Sequence, residues 1–446
     1  MIYLLVLPLI GDFFKSFIFL FLLYIFIEFI IKKEIHWETI LKLIILTPVG
    51  SHAMFYNFKG VNFSELIMLT IALVCLIRLT IYQYIRCEKI KFLDVVMILF
   101  AIYVFVNNLV SKNNASNKLM DLRTFCFWFM LYFIIKSYYS KNSFDNFIKL
   151  LTDSIILSSV VIIVIYYFKI DSIATMLDWE GRYGNAFQTL YIVALPNCIH
   201  YISNDIVKKR EKLFYILGAI IIMYLMSING GRTITIGVSI ATLYIVLKII
   251  LESFKSGSAK KIILNITFIF ASIIICTLLF KYLAANNSFI ITRLMDLINN
   301  SNSGLNVDTR IITNMNSKSL ITDNMFGYGI GSQMNMINHV GEIYSERAFI
   351  DNAFISLTYK FGIVFITLFI CVILIYLVKE IKNIIIYKSN VYIMINFILI
   401  LVTGGVFTSQ IITNFPMAIT FFALLLYMDD KKNETMNNDF KENIDC

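Results

Sequence analysis

The sequence predicts an all-α integral membrane protein that crosses the bilayer about 12–14 times. Of its 446 residues, 59% are hydrophobic and only 15% are charged, and the mean hydropathy is +0.78, outside the usual balance of soluble domains. Several nearly uncharged runs extend with their flanks toward the roughly 20 residues that a spanning helix needs. These runs are Ile155–Phe168, Leu213–Met226, Ile262–Phe280 and Ile363–Val378. They do not alternate between apolar and polar residues, so a β-barrel is not predicted.

Hydropathy and turn residues place the spanning helices in order along the chain. The predicted spans are 15–31, 38–56, 64–84, 93–110, 121–139, 150–169, 186–203, 212–229, 232–252, 261–282, 352–378, 390–411 and 413–428. Ile2–Ile10 is either a half-helix or the start of one long first helix, which is why the predicted count is a range.

The loops between these helices alternate in charge. One set is rich in Lys and Arg and is predicted to face the cytoplasm, whereas the opposite set faces outside. The predicted organisation is an N-terminal helix bundle over 1–282, an external loop or cap over 283–350, C-terminal spanning helices over 351–428, and a flexible cytoplasmic tail over 429–446. A connection as long as the external loop is unusual, and it predicts a functional cap over a cavity.

The net charge of +9 is explained by this topology. The basic residues are spread over short loops and form no patch, so the sequence does not predict binding to nucleic acid. The seven cysteines have no CxxC spacing, and the four histidines have no metal-ligand spacing. The sequence therefore predicts neither a metal nor a cofactor.

The stretch NMFGYGIGSQM places Gly327, Gly329 and Gly331 at every second position of the external loop. A nucleotide-binding loop would require a strand before it and a soluble helix after it, and a potassium filter would require a short tetrameric pore module. Neither context surrounds this stretch. The glycines are instead predicted to form a tight turn with positive φ that directs the loop back over the membrane.

Three arginines lie at the outer ends of predicted helices, namely Arg182, Arg232 and Arg310. The planar guanidinium suits phosphate because it donates two parallel hydrogen bonds and stays charged at any relevant pH. Together the three arginines would form a pyrophosphate clamp. Snorkelling or pairing with a carboxylate is the structural alternative, and for Arg182 the acidic neighbours are Asp178 and Glu180.

The segment from Arg310 to Gly362 resembles the signature region of the O-antigen polymerase and O-antigen ligase superfamily. That pattern has an arginine followed by a helix, a Gly-x-Gly turn before a variable external loop, a polar pair with Asn, and a later helix glycine. Here these are Arg310, Gly327–Gly329, Asp351–Asn352 and Gly362. Upstream, GRYGNAFQT and SINGGRT are similar to further arginine segments of the family.

The resemblance implies a GT-C-like membrane glycosyltransferase in the bacterial inner membrane, with its active site facing the periplasm. It would join repeat units carried on undecaprenyl pyrophosphate into O-antigen or capsular polysaccharide, and a chain-length regulator and a flippase are implied as partners beside membrane lipids. Asp351, Arg310 and Arg232 are the expected catalytic residues. The expected substrate-binding residues are Arg182, Arg232, Arg310, Asn352 and His339.

Two alternatives remain at this point. An O-antigen ligase would transfer finished polymer to lipid A-core, but ligases commonly have His-Asn where this chain has Asp351–Asn352. A flippase or transporter for lipid-linked sugars would have charged or broken helices near the middle of the membrane.

Overall fold

The computed structural model describes the chain over residues 27, 41, 45, 57–58, 61–62, 69–70, 91–139, 144–167, 178–179, 182–183, 190–203, 207–229, 242–244, 263, 267, 305–337, 342–387, 391–406 and 408–442. This part of the chain is mostly helical, as predicted. The chain divides into two compact units. The first contains Met1–Ile31, Lys42–Ile67 and Ile148–Ser303, and the second contains Lys32–Leu41, Met68–Phe147 and Gly304–Cys446.

We number the elements in chain order among the described residues. The helices are α1 Phe92–Val110, α2 Ala115–Tyr139, α3 Phe144–Tyr167, α4 Tyr191–Ser203, α5 Lys209–Asn229, α6 Leu305–Asp323, α7 Ala353–Phe361, α8 Ile363–Tyr387, α9 Val391–Ile400, α10 Gln410–Thr413 and α11 Phe415–Glu442. The strands form three antiparallel hairpins, β1 Asn57–Phe58 with β2 Val61–Asn62, β3 Asp178–Trp179 with β4 Arg182–Tyr183, and β5 Met334–Ile337 with β6 Ile343–Arg347.

Three helical segments of the described residues are long and apolar enough to cross a membrane: Phe92–Val110, Asp145–Val164 and Ile363–Lys382. Shorter apolar helices lie at Tyr191–Ile202, Asn396–Val406 and Phe415–Asp429. Most side chains of α1 and α8 are at least partly exposed, as expected of helices that face lipid. These features indicate membrane association, whereas the total of 12–14 spans stays a prediction.

An aromatic cluster forms the core of the second unit. The ring centroid of Phe100 on α1 lies 5.5 Å from that of Trp128 on α2, 6.0 Å from Phe361 on α7 and 4.6 Å from Phe365 on α8. The indole nitrogen of Trp128 donates a hydrogen bond to the carbonyl of Ile411, 3.0 Å away, which ties α2 to α10. Phe100 is edge-to-face with Trp128 and Phe361, and such ring pairs stabilise helix packing beyond their burial.

A polar cluster lies where α1 begins and α2 approaches its end. The backbone N–H of Lys91 and the ammonium of Lys136 each donate to Oδ2 of Asp94 at 2.7 Å, and the Tyr132 hydroxyl donates to Oδ1 at 2.7 Å. Asp94 is in the first helical turn, where a carboxylate also favours the positive end of the helix dipole. The cluster therefore fixes the start of α1 against α2.

In the first unit, the buried serines of α3 form hydrogen bonds with the backbone of the same helix. Ser158 and Ser159 donate to the carbonyls four residues earlier. Asn197 of α4 donates to the hydroxyl of Thr152 at 3.3 Å, so α3 and α4 share a buried polar contact. Lys149 and Glu211 form an exposed ion pair at 3.6 Å between α3 and α5.

The structure differs from the predicted spans in three places. The span predicted at 352–378 is broken at Gly362, whose φ of 85° and ψ of 166° lie in a region that is essentially restricted to glycine. The span predicted at 390–411 ends in a π-helical turn, Leu401–Val406, and a short helix follows it. The last helix continues to Glu442, so the backbone of most of the predicted tail is helical.

Candidate functional site

The glycine segment, residues 324–334, forms the positive-φ turn that the sequence predicts. Gly327, Gly329 and Gly331 have φ values of 82°, 83° and 83°. Asn324 closes the first turn, because its side-chain amide donates to the carbonyl of Gly327 at 2.9 Å and its own carbonyl accepts from the Gly327 N–H at 3.1 Å. The turn joins the end of α6 to β5.

This segment lies directly against the end of α7. The N–H of Tyr328 donates to the carbonyl of Tyr359 at 2.8 Å, and the N–H of Gly329 donates to that of Lys360 at 2.9 Å. A Cβ added to Gly327 would lie 2.5 Å from the backbone nitrogen of Gly362. The two backbones thus approach as closely as glycine alone permits, and two separate parts of the motif meet here.

Polar residues in the last turn of α1 and just after it bind the other side of the glycine segment. The side-chain oxygen of Asn107 accepts from the N–H of Ile330 at 2.8 Å, and the Ser111 hydroxyl donates to the Ile330 carbonyl at 2.8 Å. The amide of Asn113 donates to the carbonyls of Tyr328 and Ile330, at 2.8 and 2.9 Å. These residues were not predicted to be site residues, although the polar residues of the stretch NNLVSKNN (107–114) at the end of an apolar helix were a signal.

Beneath the segment, Asp121 of α2 and Lys360 of α7 form a fully buried ion pair. The Lys360 ammonium is 2.6 Å from Oδ2 of Asp121, and both side chains have an exposed fraction of 0%. The same ammonium donates to the carbonyl of Ser332 at 2.7 Å, and the same carboxylate oxygen accepts from the N–H of Gly331 at 2.7 Å. Neither charge was predicted to be a site residue: Asp121 begins the predicted span 121–139, and Lys360 lies within the predicted span 352–378.

The hairpin β5–β6 follows the glycine segment and packs on α6. Met334 and Met336 are buried with Ile321, Ile350 and Tyr359. The hydroxyl of Thr313 on α6 accepts from the N–H of Ile337 at 3.1 Å. At least these parts of the predicted external loop are therefore folded onto the helices.

Asn352 is the N-cap of α7. Its side-chain oxygen accepts from the N–H of Ile355 at 2.9 Å, and its carbonyl accepts from the Ser356 hydroxyl at 2.8 Å. Asp351 precedes the cap by one residue, so the N-cap position of α7 belongs to Asn352. If Asn352 binds substrate as expected, the same side chain must also serve as the cap of α7.

The arginines of the predicted clamp belong to different parts of the chain. Arg182 is on β4 in the first unit, where its backbone pairs with Trp179, and Arg310 lies within α6 of the second unit. The sequence pattern placed Arg310 before a helix, whereas the helix already begins at Leu305. Arg232 and His339 lie outside the described residues. The clamp and the role of His339 therefore stay predictions.

Among the described residues, no group of three or more His, Cys, Asp or Glu side chains is placed to hold a metal ion. In comparisons with known proteins, no protein-family model, curated protein or solved structure matches the chain.

Proposed function

We propose that this protein is a membrane glycosyltransferase that polymerises polyprenyl-pyrophosphate-linked oligosaccharide units at the outer face of a bacterial inner membrane. One observation supports the proposal above the others. The Gly-x-Gly turn and Gly362, which are up to 35 positions apart in the sequence, meet at the C-terminal end of α7, the short helix that begins directly after the Asp351–Asn352 pair. A motif whose parts meet in space is a stronger sign of a site than its spacing alone.

The reaction needs positive charge and a proton acceptor. The bond between the anomeric carbon of the donor sugar and the pyrophosphate oxygen breaks, and a hydroxyl of the acceptor unit forms the new glycosidic bond. Arg232 and Arg310, with Arg182, would stabilise the charge that develops on the departing carrier pyrophosphate. Asp351 would orient the acceptor hydroxyl or take its proton. Asp351 is partly exposed at the start of α7, so a substrate hydroxyl can reach it.

The substrate is expected to be lipid-linked because of the surface beside the motif. Leu368, Ile375 and Val378 form one exposed apolar face of α8, which begins immediately after Gly362. A polyprenyl chain could lie along such a face while its sugars reach the polar segment at the helix end. The same face would contact ordinary membrane lipid.

A flippase for lipid-linked sugars is the second candidate, and a specific observation favours it. The π-helical turn Leu401–Val406 contains Gly404 and Gly405 and interrupts an apolar helix, a feature of transporters with broken helices. A ligase of the same superfamily remains a third alternative. The Asp351–Asn352 pair favours the polymerase over the ligase.

Deletion of the gene, followed by gel analysis of surface and carrier-linked polysaccharide, separates the three. One repeat unit on the lipid anchor is expected and indicates a polymerase. Carrier-linked polymer with none on the anchor would indicate a ligase. Single units that accumulate on the carrier at the cytoplasmic face, with no units on the anchor, would indicate a flippase.

A further inference from the structure

The buried Asp121–Lys360 pair contacts both ends of the hairpin segment 333–348. Ser332, whose carbonyl accepts from the Lys360 ammonium, is the residue before the segment. Phe349 is the residue after it, and the same ammonium lies 5.1 Å from the centroid of its ring. Gly331, one residue further upstream, donates to Asp121. Two residues after Phe349 comes Asp351.

This arrangement is costly for a purely structural contact. A buried ion pair loses the hydration of two charges, and apolar residues of similar volume are often equally or more stabilising. Oδ1 of Asp121 is buried with no hydrogen-bond partner among the described residues, so hydrogen bonds do not fully offset the cost of burying the carboxylate. What the pair provides, and apolar side chains would not, is a fixed partner for the N–H of Gly331 and for the carbonyl of Ser332.

We propose that Asp121 and Lys360 are positioning residues that hold the two ends of segment 333–348 together and thereby fix Asp351 relative to α7. The catalytic part of this inference rests on the proposed function. The mechanical part does not, because it concerns only the conformation of the segment.

The hydrogen bonds determine which of the two positions must hold the acceptor and which the donor. The position of Asp121 must accept from Gly331, and the position of Lys360 must donate to Ser332. Reversing the charges would place an ammonium against an N–H donor and a carboxylate against a carbonyl. An ion pair that acted through charge alone would tolerate the reversal, whereas a positioning pair would not.

Three double variants of the full-length protein in detergent or nanodiscs test this. Asp121→Leu with Lys360→Met removes both charges and both hydrogen bonds. Asp121→Asn with Lys360→Gln removes the charges and keeps an acceptor and a donor. Asp121→Lys with Lys360→Asp reverses the pair. Lys149→Ala with Glu211→Ala removes the exposed ion pair of the first unit and is the matched control.

Hydrogen–deuterium exchange of residues 329–337 is the measurement, with α4, in which no residue is substituted, as the internal reference and thermal unfolding as the test of folding. We expect roughly tenfold faster exchange in the apolar variant, because the Gly331 N–H and Ser332 carbonyl can regain partners only by moving into water. The Asn/Gln variant should stay closer to the wild type, and the reversed variant should exchange fastest. The control should match the wild type.

Wild-type exchange in a folded apolar variant, or in the reversed variant, would overturn the proposal. If the apolar variant does not fold, the exchange rates of the Asn/Gln and reversed variants are compared instead. Equal rates in these two variants also overturn the proposal. Polymer formation is the second readout. If the variants exchange faster but make undiminished polymer, the link to Asp351 is refuted. If they exchange faster and deletion of the gene leaves polymer intact, only the proposed function is refuted.

Discussion

Gly327 and Gly362 lie backbone against backbone, and neither position has room for a side chain. A Cβ on Gly327 would lie 2.5 Å from the nitrogen of Gly362, and a Cβ on Gly362 would lie 2.5 Å from the carbonyl oxygen of Met325. The N–H of Ile363 donates to that same carbonyl at 2.9 Å. The end of α6 is thus joined to the start of α8 by contacts that involve only main-chain atoms.

Gly362→Ala is therefore expected to destabilise the protein. The positive φ alone costs about 1–3 kcal/mol for a residue with a Cβ, and the contact with Met325 adds to it. Gly404→Ala is the matched control, since its Cβ would meet only the flexible side chain of Met417, at 3.1 Å from Cε. The midpoint of thermal unfolding in detergent should fall clearly for Gly362→Ala and little for Gly404→Ala. Equal shifts would contradict the close approach of the two backbones.

Asp351 and Asn352 can be separated by experiment because only one of them caps α7. Asn352→Ala should lower the free energy of unfolding by about 1 kcal/mol through loss of the cap, whereas Asn352→Asp should restore it. Asp351→Asn should leave the cap intact and remove most polymerisation activity, because an amide cannot take a proton. In vitro polymerisation and thermal unfolding would be measured for the variants of Asp351 and of Asn352. An active Asp351→Asn protein beside an impaired Asp351→Ala protein would rule out the base.

The hydroxyl of Tyr132 is expected to matter more for stability than that of Tyr103. Tyr132 donates to the carboxylate of Asp94, whose side chain is 4% exposed, whereas Tyr103 donates to the neutral carbonyl of Phe361 at 2.8 Å. Tyr132→Phe should cost about 1.5–3 kcal/mol and Tyr103→Phe about 0.5–1.5 kcal/mol. Denaturant or thermal unfolding of the two variants gives the comparison. A larger loss for Tyr103→Phe would argue against the Asp94 cluster.

Arg232→Ala and Arg310→Ala should each abolish polymer at an unchanged protein level. Lysine should not fully replace either arginine, because a point charge loses the two-bond geometry that a pyrophosphate accepts. Arg347→Ala, which removes an exposed arginine of β6, is the control and should leave polymer intact. Polysaccharide gels of complemented deletion strains provide the readout. Full activity of the lysine variants would remove the clamp, and poor expression of the alanine variants would favour a structural role.

The orientation in the membrane is tested by labelling single cysteines after the native ones are removed. Ser303→Cys lies in the predicted external loop and should react with an impermeant maleimide in intact spheroplasts. Asn437→Cys lies in the predicted cytoplasmic tail and should react only after the membrane is opened. The reverse pattern would place the glycine segment and Asp351 on the cytoplasmic side.

The sequence by itself determined the helical class, individual apolar helices such as α1, and the glycine turn. These features are local, because hydropathy follows from a continuous run of side chains and a positive φ from the glycine at that position. The span predicted at 93–110 agrees closely with α1, and the predicted turn is present at Gly327, Gly329 and Gly331. The break at Gly362 was harder to predict, since a lone glycine in an apolar run is tolerated in many membrane helices.

Only the tertiary structure brought together residues that are distant along the chain. Asp121 and Lys360 are 239 positions apart and belong to different helices, so nothing in the local sequence of either residue indicates that they pair. Asn107, Ser111 and Asn113 likewise acquire their role only where α1 meets the glycine segment. Such pairings depend on how the helices pack, because a buried charge or amide is stable only beside the partner that packing brings to it.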